Sequence, residues 1–251
     1  MIIIENLSKN YGRTKVVDKV NVQFKKGKVT SIIGPNGAGK STLLSMASRL
    51  AEKDSGSVLL DCKEICEWDT AELAKHLAVL RQSNSVTMRF TVREIVSFGR
   101  FPYSKGKLTT EDQAVIDQSI DYLALSDIQN KYLDELSGGQ RQLAYIAMVI
   151  AQDTDYVFLD EPLNNLDIKH SLKIMKNIQR LARDMNKAVV LVIHDINFAA
   201  CYSDVIVALK KGKVVASGSV AKVIQADILS GIYETPFNII EVEGKRMCTY
   251  H

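Results

Sequence analysis

Residues 34 to 42 read Gly34, Pro35, Asn36, Gly37, Ala38, Gly39, Lys40, Ser41 and Thr42, and they fit G-x-x-x-x-G-K-[ST] without a gap. Three glycines let successive backbone N–H groups turn inward on an anion. Lys40 adds a positive charge for outer phosphates, and the Ser41 hydroxyl is a ligand for Mg²⁺. The chemistry these residue types serve is triphosphate binding. A second group follows the apolar run Tyr156 to Leu159, which ends in Asp160 and Glu161 before Pro162. Adjacent carboxylates at the end of a buried strand point to opposite sides of it and can divide the work. Asp160 would order Mg²⁺ and its waters, and Glu161 would accept a proton from water attacking a γ-phosphate. A third apolar run, Ala188 to Ile193, ends in His194 and Asp195. Ligands of parallel α/β sheets gather at the carboxyl ends of strands, which directs His194 toward the same phosphates.

Residues 136 to 140 read Leu136, Ser137, Gly138, Gly139 and Gln140 ahead of an apolar stripe through Leu143, Ala147 and Ile150. Ser137 and Gln140 have capping-box spacing. Two glycines in the first helical turn each cost about 1 kcal/mol against alanine, which points to a backbone that something approaches closely. A second phosphate-binding helix N-terminus is the candidate. Gln82 follows the strand-like Leu77 to Leu80; its amide suits Mg²⁺ or the attacking water, although a lone glutamine is commonly just solvated. Tyr11, in a turn with Gly12, offers a ring face to a nucleobase; packing is the more ordinary role of such a tyrosine.

Several elements must position these groups. Val29 to Ile33 is a short β-branched run leading into the phosphate loop, and Leu43, Leu44, Ala47 and Leu50 recur at helical spacing after it, so the loop joins a strand to a helix N-terminus. Ile2 to Leu7 and Val16 to Phe24 read as paired strands, with a further strand from Ser57 to Leu60. Helices are expected over Thr70 to His76, from a Thr91 and Glu94 capping box, and over Thr110 to Leu123. Asn165, Leu166 and Asp167 should cap a long helix carrying Leu172, Met175, Ile178, Leu181 and Met185. Asp204 to Leu209 and Lys213 to Ala216 form a hairpin. Residues 219 to 233 read as short helices, and Asn238 to His251 is strand-like without an interpretable motif. The fold class is α/β. One domain over 1–251 is expected, with an ATP-binding core and antiparallel β subdomain in 1–81 and 152–251 and a helical insertion over 82–151.

The 251 residues, 46% hydrophobic, are enough for a sizeable core without staples. A net charge of +3 gives no argument for nucleic acid. No apolar run approaches the ~20 residues of a membrane span, and Met1 leads into a strand rather than a signal peptide, so a soluble cytosolic chain is expected. Cys62 and Cys66 lack a second ligand pair, and the four cysteines read as reduced structural thiols.

The ordered set of phosphate loop, Gln82, LSGGQ, Tyr156 to Glu161, the Asn165 to Asp167 turn and His194 resembles the ATP-binding subunit of an ATP-binding-cassette (ABC) transporter over the whole chain. The resemblance implies a mainly parallel P-loop ATPase core with ATP and Mg²⁺ as ligands. By the same resemblance Tyr11 stacks on adenine, and Gln82 senses Mg²⁺ and couples to the membrane partner. Two copies would bind head to tail, each ATP lying between the phosphate loop of one and the Ser137 to Gln140 signature of the other. Membrane permease subunits would be direct partners on the cytoplasmic side of the membrane, and an extracytoplasmic substrate-binding protein an indirect one. TVREIVSFGRFPY from Thr91 to Tyr103, Asp134 to Gln152 and Leu166 to His170 look like the importer subfamily for ferric siderophores, cobalamin and haem, the ferric-siderophore members above all. Leu143 stands where that subfamily usually has arginine, and Leu163 where it usually has threonine. An exporter subunit would share every ATPase motif. Non-transport relatives usually add coiled-coil, zinc or basic extensions, which are absent from this sequence.

Overall fold

The apolar runs that precede chemistry become the buried strands. In a computed structural model, which describes residues 1–82 and 88–250, the chain opens with β1 (Ile2–Tyr11), β2 (Thr14–Phe24), β3 (Val29–Ile33), α1 (Lys40–Ala47), β4 (Ser55–Leu60) and β5 (Lys63–Glu64). Then come α2 (Thr70–His76), β6 (Leu77–Leu80), α3 (Val92–Phe98), α4 (Phe101–Ser104), α5 (Thr110–Tyr122), α6 (Gly138–Ala151) and β7 (Tyr156–Asp160). The rest is α7 (Ile168–Asp184), β8 (Ala188–Val192), α8 (Ile196–Tyr202), β9 (Val205–Lys210), β10 (Lys213–Ser219), α9 (Val220–Val223), α10 (Ala226–Tyr233), β11 (Phe237–Val242) and β12 (Lys245–Tyr250). Two compact units result, Met1–Trp68 with Ile178–His251, and Asp69–Asn177. The division falls outside the expected 82–151 insertion. The second unit contains not only helices but the parallel pair β6 and β7, which bind each other from Leu77↔Tyr156 to Leu80↔Leu159.

In the first unit β2, β1, β4 and β5 form an antiparallel sheet in that order. Ile2, Ile4 and Leu7 of β1 are all buried although the last step breaks the two-residue period. A register shift between Ile4 and Leu7, with Asn6 at φ 49°, inserts the extra residue that returns Leu7 to the inner face. Beside it, β3 pairs in parallel with β8 on one side and β9 on the other. Every residue of β3 and β8 is buried, as strands covered on both faces require. The registers Ile32↔Val192 and Ile33↔Ala208 bring the carboxyl ends of all three strands to one edge. At the other end of the chain, β11 and β12 make a hairpin whose turn residues Glu243 and Gly244 have φ of 50° and 73°. Asn197 of α8 holds this hairpin through the Cys248 backbone, accepting its N–H at 2.7 Å and donating to its carbonyl at 3.2 Å.

In the second unit the helix starts follow local rules. Thr91 and Glu94, Thr109 and Asp112, and Ser137 and Gln140 all form reciprocal capping boxes. Arg100 and Asp112 are a buried ion pair at 2.8 Å, and Arg100 also donates to the Ala151 carbonyl at 3.0 Å. The Thr109 backbone N–H and then the Arg100 guanidinium hold the Asp112 carboxyl below the usual carboxylate range. One pair thereby joins the start of α4, the first turn of α5 and the end of α6. The long helix α7 is capped by Asp167, which accepts the His170 N–H at 2.8 Å, rather than by Asn165, which has φ 58°. Leu172 and Met185, expected on its apolar face, are exposed. Among the described residues, no helix is long and apolar enough to cross a membrane.

Candidate functional site: a phosphate loop and a carboxylate turn

The phosphate loop occupies the carboxyl end of β3. Lys40 is buried, and its ammonium donates to the Gly34 carbonyl at 2.8 Å and the Pro35 carbonyl at 3.0 Å, so the charge is drawn back over the loop. Gly39 has φ 96°, and a Cβ there would lie 2.4 Å from the Val16 carbonyl oxygen; only glycine fits between strand β2 and the start of α1. The helix α1 has no side-chain N-cap and no acidic residue in its first turn. Its leading N–H groups and positive dipole end therefore suit an anion, which is the donor chemistry a triphosphate needs. Asn36, Gly37 and Ala38 complete the turn, with the Ala38 N–H donating to the Pro35 carbonyl at 3.2 Å. Ser41 and Thr42 open α1 just after Lys40.

His194 lies between β8 and α8, exposed, at the same sheet edge as the phosphate loop because β3 and β8 run in parallel register. Asp195 beside it caps α8 through the Asn197 and Phe198 N–H groups at 2.8 and 3.0 Å. Tyr11 is the last residue of β1 and pairs with Thr14, not a turn residue as expected. Its ring is exposed, with the Lys9 ammonium 5.6 Å from the centroid.

The second unit gathers Gln82, Asp160 and Glu161. Pairing of β6 with β7 brings Gln82, two residues past β6, to the residues that end β7. The Gln82 Nε2 donates to Glu161 Oε2 at 2.6 Å. Asn164 Nδ2 donates to the same oxygen at 2.6 Å. Asn164 was not singled out by the sequence reading; its signal is the turn spacing from Glu161 across Pro162. Within the second unit Asp160 offers a carboxylate and Gln82 an amide oxygen, both oxygen donors of the kind a hard divalent cation takes. The Ser41 hydroxyl in the first unit is another group of that kind.

Ser137 to Gln140 begins α6, with the Ser137 hydroxyl accepting the Gln140 N–H at 3.3 Å and the Gln140 side chain accepting the Ser137 N–H at 3.1 Å. The close approach inferred from the two glycines is real at Gly139, but what approaches is this chain's own His170. A Cβ at 139 would lie 2.3 Å from the His170 ring, and Asp167 holds that ring through Nδ1 at 2.8 Å. At Gly138 the nearest atoms are at ordinary contact distance, 3.8 Å or more, so a side chain there has room.

A strand–glycine loop–helix that cradles phosphate, together with a strand ending in two carboxylates and a separate LSGGQ helix start, defines an ATP-hydrolysing cassette. Residues 17–164 match the ABC transporter family, and the chain belongs to that family. It is 54% identical over 250 residues to the petrobactin import ATP-binding protein YclP of Bacillus subtilis (strain 168), covering 100% of this chain and 99% of that one. It is 48% identical to the petrobactin import ATP-binding protein FatE of Bacillus anthracis, covering 96% of each. Among solved structures, a dimeric ATP-binding cassette in a post-hydrolysis state with ADP and Pi superposes with a TM-score of 0.77 at 30% identity, covering 88% of this chain and 99% of that one.

Proposed function

We propose that the chain is the ATPase subunit of a membrane importer for an iron-siderophore complex of the petrobactin class. The observation that carries the cargo is its 54% identity, over essentially the full length of both chains, to a petrobactin import ATP-binding protein. Two copies associate head to tail, so that ATP bound on the phosphate loop of one meets Ser137, Gly138, Gly139 and Gln140 of the other. The dimer sits on the cytoplasmic face of the membrane against permease subunits, which an extracytoplasmic substrate-binding protein loads from the other side. ATP bridges the two faces and hydrolysis removes the bridging phosphate, so closure and opening alternate and drive the permease.

In this reading Tyr11 stacks on adenine, the backbone from Gly34 to Thr42 surrounds the phosphates, and Lys40 leaves its carbonyl partners to offset γ-phosphate charge. Ser41, Gln82 and Asp160 hold Mg²⁺, which neutralises phosphate charge when bound. Glu161 orients the attacking water and accepts its proton, while His194 donates to the γ-phosphate. Catalysis is positioning and electrostatics rather than covalent chemistry.

The test is uptake of radiolabelled iron as ferric petrobactin, a ferric hydroxamate or haem, and of labelled cobalamin, by source cells lacking this chain. Loss of petrobactin uptake, restored by the wild-type chain and not by Glu161→Gln, is the expected result. Undiminished petrobactin uptake with loss of another cargo would overturn the petrobactin assignment and name the alternative.

A further inference from the structure

Glu161 opens a four-residue turn through Pro162 and Leu163 to Asn164, closed by the Asn164 N–H donating to the Glu161 carbonyl at 3.2 Å. Buried Pro162 stands at the second position, where its ring favours the φ that such a turn needs. Glu161 itself has φ 51°, a left-handed conformation that a glutamate does not choose unaided, so the turn is imposed on it. The result is that the Asn164 side chain folds back over the Glu161 carboxylate and donates to Oε2 at 2.6 Å. Gln82 reaches the same oxygen at 2.6 Å from the end of the neighbouring strand. Two amide donors arriving from separate parts of the chain fix the rotation of one carboxylate. They differ in their other duties. In the reading above Gln82 would also be a Mg²⁺ ligand, and its place depends on the β6–β7 pairing. Asn164 has no other assigned task and is held by the turn that Glu161 begins.

We propose that Asn164 is a positioning residue for ATP hydrolysis. Its amide N–H pins Oε2 of Glu161 and so sets the direction from which the carboxylate meets the attacking water. The inference rests on the reading of Glu161 as the group that takes the water's proton. In that step one water O–H bond breaks and its proton passes to Glu161. The water oxygen forms a bond to the γ-phosphorus as the bond from that phosphorus to the bridging oxygen breaks, and ADP and phosphate are released. Asn164 exchanges no proton. The competing role for an asparagine here is only to shape the turn, and aspartate serves turns equally well. Asparagine and aspartate therefore separate the two roles: the aspartate side chain has the same shape but replaces the amide donor with a second carboxylate facing Glu161.

The experiment compares purified full-length wild type with Asn164→Asp, Asn164→Ala, Asn164→Ser and Glu161→Gln, reading kcat, KM, ATP affinity and Tm. Loss of one donor to an ionised group should lower kcat by roughly tenfold or more in Asn164→Ala. Asn164→Asp should fall further, by about a hundredfold, because like charges are then opposed. Asn164→Ser keeps a shorter donor and should lie between alanine and wild type, while ATP affinity and Tm stay at wild-type values throughout. Wild-type kcat in Asn164→Asp, or losses that follow Tm or ATP affinity instead of kcat, would overturn the proposal. An inactive Glu161→Gln beside a fully active Asn164→Asp removes the proposal alone. Wild-type turnover in Glu161→Gln removes the reading beneath it and the proposal with it.

Discussion

The phosphate loop and the carboxylate turn solve the same kind of problem with different materials. Around Gly34 to Thr42 the work is done by backbone: Lys40 donates to the carbonyls of Gly34 and Pro35, the helix start has no side-chain cap, and the lysine is buried. Around Glu161 it is done by side chains, with two amides converging on one exposed-side carboxylate oxygen. Backbone donors are fixed by the fold and are present before any ligand arrives. Side-chain donors are fixed by rotamers and can be removed one at a time. Ligand affinity should therefore follow the first region and turnover the second, and substitutions should separate the two quantities.

The largest effect that sharpens this contrast lies in the helical scaffold of the second unit, which also carries the carboxylate turn. Arg100→Met leaves Asp112 buried without its partner and should cost about 3–5 kcal/mol of stability. Pairing it with Asp112→Leu should recover most of that loss except the cap of α5, worth about 1 kcal/mol. Chemical denaturation of the three proteins measures it, and equal stability of the single and double variants would remove the ion pair from its structural role. A smaller effect is expected at the phosphate loop. Lys40→Ala deletes a charged donor to phosphate and should weaken ATP binding by about 1.5–3 kcal/mol, read by nucleotide titration. Wild-type ATP affinity with lowered turnover in that variant would break the contrast, because a phosphate-loop residue would then govern turnover and not affinity.

Much of this was legible in the sequence wherever the rule is local. The phosphate loop, the capping boxes of Thr91 with Glu94 and Ser137 with Gln140, and the strand ending in Asp160 and Glu161 depend on neighbours within one turn or strand. What was not legible depends on pairing between distant segments. The contact of Gln82 with Glu161 exists because β6 lies beside β7, and the Arg100–Asp112 pair because the residue before α4 meets the first turn of α5. Gly139 is a mixed case. Its two-glycine helix start signalled a close approach, but nothing in the spacing named His170 as the neighbour. Asn164 shows the opposite failure: its signal was local, four residues opened by Glu161 and turned by Pro162, and it was masked by the apparent ordinariness of an asparagine in a turn.

The most direct test of the account is the Glu161→Gln variant, assayed in parallel for ATP affinity, steady-state hydrolysis and association state with ATP present. Glutamine keeps the size and removes the proton acceptor. The account predicts ATP affinity at the wild-type value, turnover lowered by roughly 10²–10⁴-fold, and accumulation of an ATP-bound dimer. Hydrolysis at the wild-type rate would contradict it, since the carboxylate turn would then have no part in the chemistry.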